Sequence, residues 1–297
     1  MAPRLAISSD ALRQFDRLAF VSRRPARAGT GGEHASRRPA PSTDFIDYRP
    51  YQPGDDFRRV DWNVYGRLGS LQVKVTEGRE RQDVLLVLDC SGSMAFGSPD
   101  KLSVGADLVA ALAYIGAARS DVVRIACLSR PPTSAPLSRP FGRRSHVHVL
   151  LRQLSALTPA GLVDLDTALS DCVTNEVPRS SLAVVVSDLL APDGPAAGLD
   201  AIRARIADVA VIHLVSPEEL EPRLSGEVEL VDEETGATLE LGVSMDTLAA
   251  YRARLQAWLD ARTDDCHRRG MRYIRARTDR PLASLVMDDL RRGGLLR

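Results

Sequence analysis

Three oxygen-bearing side chains follow an apolar stretch at two-residue spacing. The stretch Val84 to Leu88 has strand length and no polar alternation, which indicates a strand buried on both faces of a parallel sheet. Asp89, Ser91 and Ser93 come directly after it. Gly92 allows a sharp turn between the two serines. Because one carboxylate and two hydroxyls are the hard ligands that Mg²⁺ prefers, the pattern predicts a magnesium site at this strand end.

A second apolar strand ends in a carboxylate in the same way. The run Leu182 to Val186 is followed by Ser187 and Asp188. Such runs alternate with helical patterns along the chain, which predicts an α/β fold with a doubly wound, mostly parallel sheet of the Rossmann type. The carboxyl ends of parallel strands meet at one edge, where ligands bind near the topological switch point. We therefore expect Asp188 to lie near Asp89.

The sequence suggests three regions. Residues 1–43 hold a short helix and a loop rich in Arg, Gly and Pro at 23–41, and they form an N-terminal extension. Residues 44–80 hold a charged and aromatic segment, then a strand at 71–75 that we expect to pair antiparallel with the strand after it. Residues 81–297 form the α/β domain, with a β-hairpin excursion at about 227–241 around Thr235-Gly236.

Composition narrows the class of protein. The 297 residues contain 39 Lys plus Arg and 39 Asp plus Glu, so no net charge attracts nucleic acid. No apolar run reaches the roughly 20 residues of a membrane span, and the first residues lack the apolar core of a signal peptide. The four cysteines are scattered without a metal-site spacing and are expected to be reduced. These features predict a cytoplasmic protein.

The segment from Asp44 to Trp62 interleaves acids, arginines and aromatic residues around a Pro-Gly turn. Its charges predict an ordered loop held by Arg–carboxylate bonds. Two interpretations stay open: a structural clasp between the extension and the sheet, and a docking surface for a protein partner. In the second, the candidate partner-binding residues are Arg49, Asp55, Asp56, Arg58, Asp61 and Trp62.

Enzymatic interpretations have weaker support. No Gly-Lys-Ser/Thr phosphate loop is present, so we expect no ATP hydrolysis by this chain. A hydrolase elbow is absent, because Asp89 and Ser93 occupy its glycine positions. The alternative is a Mg²⁺-dependent phosphohydrolase with Asp89 as nucleophile, although Ser91 stands where a second acid is wanted. A metal-free structural scaffold is a further alternative.

Several segments together resemble the bacterial family called domain of unknown function 58. They are Asp47 to Trp62, Val73-Lys74, Asp89 to Met94, Ser187 to Leu190, Asp232 to Gly236 and Thr278 to Leu282. The resemblance covers nearly the whole chain, and Tyr-Gln-Pro-Gly-Asp-Asp at 51–56 is its most specific part. It implies a von Willebrand factor A-like domain. It also implies a MoxR-type AAA+ ATPase as partner, in chaperone-like assembly or maturation of protein complexes.

The resemblance also implies a metal-ion-dependent adhesion site (MIDAS). Asp89, Ser91 and Ser93 match its first loop, and Asp188 matches the aspartate of its third loop. The second loop departs from the pattern, because Val163 stands where a threonine ligand is usual. Asp164 and Thr158 are nearby oxygen donors outside the matching position. The resulting hypothesis is a non-enzymatic interaction adaptor whose site binds a partner carboxylate through Mg²⁺.

Overall fold

The computed structural model describes residues 9–22, 45–76, 81–129, 139–143, 147–159, 161–173, 182–191, 194–206, 208–232 and 234–297. The loop predicted at 23–41 lies outside these residues. The chain divides into two compact units. The larger contains residues 1–27 and 82–297, and the smaller contains residues 28–81.

The elements of both units are numbered together along the chain. The helices are α1 Ser9–Phe15, α2 Trp62–Leu68, α3 Lys101–Ala118, α4 Val147–Leu154, α5 Leu165–Asp171, α6 Ala196–Arg205, α7 Pro217–Leu220, α8 Met245–Arg268 and α9 Leu282–Ser284. The strands are β1 Phe45–Pro50, β2 Gln72–Thr76, β3 Asp83–Asp89, β4 Val122–Leu128, β5 Leu182–Ser187, β6 Val209–Val215, β7 Gly226–Val231, β8 Thr238–Val243 and β9 Arg272–Arg277. A π-helical turn, Leu285–Leu290, continues α9.

The smaller unit is built on an antiparallel pair of strands. β2 pairs with β1, which precedes it, so the expected pairing of β2 with the following strand was wrong. The strand at 71–75 was placed correctly, but its partner lies before it in the chain. Arg49 binds both oxygens of Asp55 at 2.7 and 2.5 Å, which agrees with the predicted ordering of this segment by Arg–carboxylate bonds.

The larger unit is organised around a five-stranded parallel sheet in the order β4-β3-β5-β6-β9. This confirms the predicted α/β fold, and β7 and β8 form the predicted hairpin outside the sheet. The chain passes from β3 to β4 on one side and later to β5 on the other side. The topological switch point therefore lies between β3 and β5, where a doubly wound sheet opens a crevice for ligands.

Helices cover both faces of the sheet. Val84, Leu86 and Leu88 of β3 pack in one apolar core with α3 and the π-helical turn that follows α9. Leu85 and Val87 pack in a second core with α5 and α6. This alternation is the two-residue period of a strand between two layers, and it explains the absence of polar residues in the run.

Helix α3 lies deep in the fold. Asp100 caps it by accepting a hydrogen bond from the Ser103 amide at 2.8 Å. The helix is long and apolar enough to cross a membrane, but most of it is buried against the sheet. Gly105 allows this close approach, since a Cβ atom there would lie 2.8 Å from Leu88 Cδ1 and 3.2 Å from Leu214 Cδ1.

We predict that Gly105→Val lowers the free energy of unfolding by about 1–3 kcal/mol, because the added methyl groups force α3 away from β3 and β6. Gly66→Val is the matched control, since Gly66 also lies in a helix and a Cβ there meets nothing within 4 Å. It should change stability by less than about 0.5 kcal/mol. Urea unfolding measures both, and equal effects would contradict the close approach.

Candidate functional site

Asp89 ends β3 with a fully buried carboxylate. One oxygen accepts a hydrogen bond from the Ser91 amide at 2.9 Å, and the other accepts from Ser187 Oγ at 2.6 Å. Burial and the nearby charge of Asp188 raise the pKa of Asp89 to about 6, against the opposing effect of these hydrogen bonds. The two strand-end acids therefore interact, as the parallel topology predicts.

The loop after Asp89 brings the two predicted hydroxyls together. Ser91 Oγ and Ser93 Oγ are 3.0 Å apart at the start of a 3₁₀ turn, Gly92–Ala95. The Gly92 amide donates to the Gly161 carbonyl at 2.7 Å. This bond joins the first loop of the predicted site to the second.

The second loop supplies no oxygen at the predicted ligand position. Val163 is buried with the apolar core around α5. Asp164 instead caps α5, accepting from the Thr167 amide at 3.3 Å and the Thr167 hydroxyl at 2.7 Å, and these bonds lower its pKa. Thr158 is exposed, and no hydrogen bond joins Asp164 or Thr158 to the four main site residues, all of which are described.

Asp188 follows β5 in a turn with an unusual backbone. Leu189 has a φ of 56°, in the left-handed region that costs a leucine about 1 kcal/mol or more. Side chains hold the turn in place: Ser187 Oγ accepts from the Leu189 amide at 2.9 Å, and Asp188 Oδ1 accepts from the Leu190 amide at 3.1 Å. Strain retained in this way is typical of functional sites.

Lys101, at the first turn of α3, supplies the positive charge of the site. Its ammonium group is fully buried and donates to Asp188 Oδ2 and to Glu219 Oε1, both at 2.6 Å. Burial disfavours the charged amine, but the two carboxylates outweigh burial and raise the pKa of Lys101 above its ordinary value. Lys101 is therefore charged and links α3 to the end of β5.

Glu219 is positioned by the short helix α7 after β6. Ser216 caps this helix, and its amide donates to Glu219 Oε2 at 2.7 Å. The Glu219 amide donates back to Ser216 Oγ at 3.2 Å, which completes a capping box. One carboxylate oxygen is thereby fixed, and the other faces Lys101.

A magnesium ion fits one half of this arrangement. Two ligands at neighbouring octahedral positions around Mg²⁺ lie about 3 Å apart, which matches the two serine hydroxyls. No group of three His, Cys, Asp or Glu side chains suited to a metal occurs among the described residues, so hydroxyls and water would complete the shell. The other half fits poorly, because Val163 has no donor and Lys101 holds one oxygen of Asp188.

The hairpin formed by β7 and β8 reaches this loop. Glu234 Oε1 accepts from the Ser93 amide at 3.4 Å. The tip is shaped by Asp232, which accepts from the amides of Glu234 and Thr235, both at 2.8 Å. A carboxylate from another part of the chain thus already lies against the loop.

The candidate partner-binding residues of the smaller unit have mostly structural contacts. Asp56 caps a 3₁₀ turn, Phe57–Arg59, by accepting a hydrogen bond from the Arg58 amide at 3.0 Å. Asp61 caps α2 and accepts from Tyr48 Oη at 2.8 Å. Trp62 is 59% exposed, and the Arg58 side chain is also exposed. Together with the Arg49–Asp55 pair, these contacts leave Trp62 and Arg58 as the more available part of the set.

Sequence reasoning missed three residues of the site. Ser187, Lys101 and Glu219 complete the network around Asp89 and Asp188. The capping box Ser216-Pro217-Glu218-Glu219 can be recognised from the sequence, but the sequence does not show that Glu219 contacts a lysine. Lys101 could have been found more easily, because it is a charged residue at the start of a mostly apolar helix.

The comparisons identify the family. Residues 47–263 match the model of the family Protein of unknown function DUF58. An uncharacterised protein of Mycobacterium tuberculosis is 30% identical over 280 residues, covering 89% of this chain and 84% of that protein, and one of Mycobacterium bovis matches equally. The chain therefore belongs to the DUF58 family, which confirms the resemblance seen in the sequence.

Two solved structures also align with the chain. BatB from Bacteroides thetaiotaomicron is 16% identical with a TM-score of 0.41, and the match covers 71% of this chain and 98% of that one. An aerotolerance-related membrane protein from Bacteroides fragilis, crystallised with multiple mutations to serines, is 16% identical with a TM-score of 0.40, covering 71% and 99%.

We predict that Lys101→Met lowers the free energy of unfolding by about 3–5 kcal/mol, because Asp188 and Glu219 lose the ammonium group that balances their charges. Arg277→Met is the control. It breaks a half-exposed pair with Asp279 and should cost less than about 1 kcal/mol. Urea unfolding of the two variants makes the comparison. Similar small losses in both would show that Lys101 is not the central cation.

Proposed function

We propose that this DUF58 protein is a non-enzymatic adaptor that binds a carboxylate of a protein partner at the loop of Asp89, Ser91 and Ser93. The observation that carries the proposal is the convergence of this loop with Asp188 at the topological switch point. The Glu234 carboxylate beside the Ser93 amide supports it, since it is an example of such a group at this loop within the chain itself.

Mg²⁺ is the proposed cofactor. Asp89, Ser91 and Ser93 would hold it with water, and Asp188 would contribute through a water molecule. When bound, the ion would supply a positive charge to a partner carboxylate. Asp188 and Glu219 share the ammonium group of Lys101, and the charge of Asp89 interacts with that of Asp188. When all four groups are ionised, they carry two excess negative charges. A divalent cation would balance them.

The partner in this proposal is a MoxR-type AAA+ ATPase, and the role is assembly or maturation of protein complexes in the cytoplasm. The ATPase rests on the family resemblance and on the absence of a phosphate-binding loop from this sequence. The cytoplasmic location is supported by four cysteines that are all unpaired.

The non-enzymatic part of the proposal is supported by the environment of Asp89. Both of its oxygens accept hydrogen bonds, and the side chain has no exposed surface. A phosphohydrolase that used Asp89 as nucleophile would need one oxygen to contact a phosphorus atom directly, whereas a water molecule can join this carboxylate to a bound Mg²⁺ ion. The metal-free scaffold is the alternative that the experiments below separate from the adaptor.

We predict that wild-type protein gives saturable calorimetric titrations with Mg²⁺ and Mn²⁺, and that Asp89→Ala abolishes them, because the loop loses its charged ligand. Asp246→Ala removes an exposed carboxylate from α8 and should bind as the wild type does. Flat titrations for the wild type would remove the metal from the proposal. Unchanged binding by Asp89→Ala would place the ion elsewhere.

We also predict that Ser93→Ala prevents co-purification of a MoxR-type ATPase from the native host, whereas Trp62→Ala retains it. Ser93→Ala removes a hydroxyl from the loop without leaving a buried charge unpaired, so loss of the partner would not reflect unfolding. The scaffold alternative, with binding by the smaller unit, requires the opposite result. Circular dichroism confirms that both variants are folded.

A further inference from the structure

A cavity of about 340 Å³ lies beside the candidate site, between β6, α7 and α8. Asp188 and Glu219 form its edge toward the site, and its walls are the side chains of Leu190, Leu214 and Trp258. Its volume is at the low end of the range of about 300–1,000 Å³ that is common for ligand pockets. The cavity thus shares Asp188 with the candidate site.

The walls of the cavity are apolar and well supported. His213 packs edge-to-face on Trp258 with ring centroids 5.2 Å apart, and its Nδ1 lies 2.6 Å from the Tyr273 hydroxyl. Burial lowers the pKa of His213 to about 3, so the imidazole adds no charge at neutral pH. Leu190 is 45% exposed at the rim, where the strained turn at Leu189 places it.

One residue of the cavity, Arg254, favours an acidic ligand. At the edge, the Asp188 and Glu219 carboxylates both bind the Lys101 ammonium group. Arg254 also lines the cavity, is exposed, and makes no salt bridge with any residue in the described part of the chain. Arg254 is therefore the cation of this cavity with which the carboxylate of a ligand can pair.

We propose that this cavity receives a large apolar side chain, such as Phe or Leu, that neighbours the acidic residue of the partner polypeptide. The inference rests on the proposed function. It states which partner sequence the cavity and the loop select together: an acidic residue flanked by a large apolar one. The apolar side chain enters between Leu190 and Trp258. The carboxylate binds at the loop of Asp89, Ser91 and Ser93, on the side of the site where Arg254 lines the cavity. The cavity then supplies specificity that carboxylate binding alone lacks.

Trp258 provides the signal for a test. The chain contains two tryptophans, so Trp62→Phe leaves Trp258 as the single emitter. With Mg²⁺ present, this protein is titrated with capped Phe-Asp-Phe, Ala-Asp-Ala and Phe-Asn-Phe tripeptides. We expect a saturable change in Trp258 emission with Phe-Asp-Phe, and at least tenfold weaker binding of Ala-Asp-Ala. Leu190→Arg should abolish the change, whereas Leu68→Arg, at a leucine exposed elsewhere, should not.

The outcomes separate this inference from the proposed function. Equal binding of Phe-Asp-Phe and Ala-Asp-Ala, or no saturable change at millimolar Phe-Asp-Phe, would overturn the cavity proposal. Unchanged affinity in Leu190→Arg would overturn it as well. Binding of decanoate without binding of any tripeptide would overturn it in favour of a small amphipathic acid. Equal binding of Phe-Asn-Phe and Phe-Asp-Phe would support the cavity and contradict carboxylate recognition at the loop.

Discussion

The site depends on one buried ammonium group between two carboxylates. Moving Lys101, Asp188 and Glu219 out of water costs several kcal/mol for each ion, and the short contacts of 2.6 Å offset that cost only because all three are correctly placed. The placement uses α3, the end of β5 and the capping box of α7. A change in any of these elements would leave a buried charge unpaired, so the network fixes the geometry of the strand ends.

This constraint connects the loop with the cavity. Asp188 binds Lys101 with one oxygen and the Leu190 amide with the other, so the strained turn and the ion pair hold each other in place. Leu190 is thereby held at the rim of the cavity. On the other side, Asp89 accepts a hydrogen bond from the Ser91 amide and lies near the charge of Asp188. The strand ends thus present an anionic loop next to an apolar cavity that Arg254 also lines.

Much of the fold was predictable from the sequence, and the reasons are local. The apolar runs before Asp89 and Asp188 specify buried parallel strands, and the topology then brings the two acids together. The partner of β2 was not predictable, because the pairing of strands depends on contacts between residues far apart in the sequence. Lys101 was overlooked because a lysine is ordinarily solvated. Its burial is favourable only because the carboxylates of Asp188 and Glu219 both contact its ammonium group. The metal and partner roles of the site stay predictions.

The central claim is that the loop of Asp89, Ser91 and Ser93 holds a divalent cation while Lys101 keeps its bond to Asp188. Anomalous diffraction from crystals grown with Mn²⁺ tests it most directly. The account predicts one Mn²⁺ peak at ligand distance from both serine hydroxyls, with the ammonium group of Lys101 still between Asp188 and Glu219. Absence of Mn²⁺ from the loop, or an ion on Asp188 with Lys101 displaced, would contradict it.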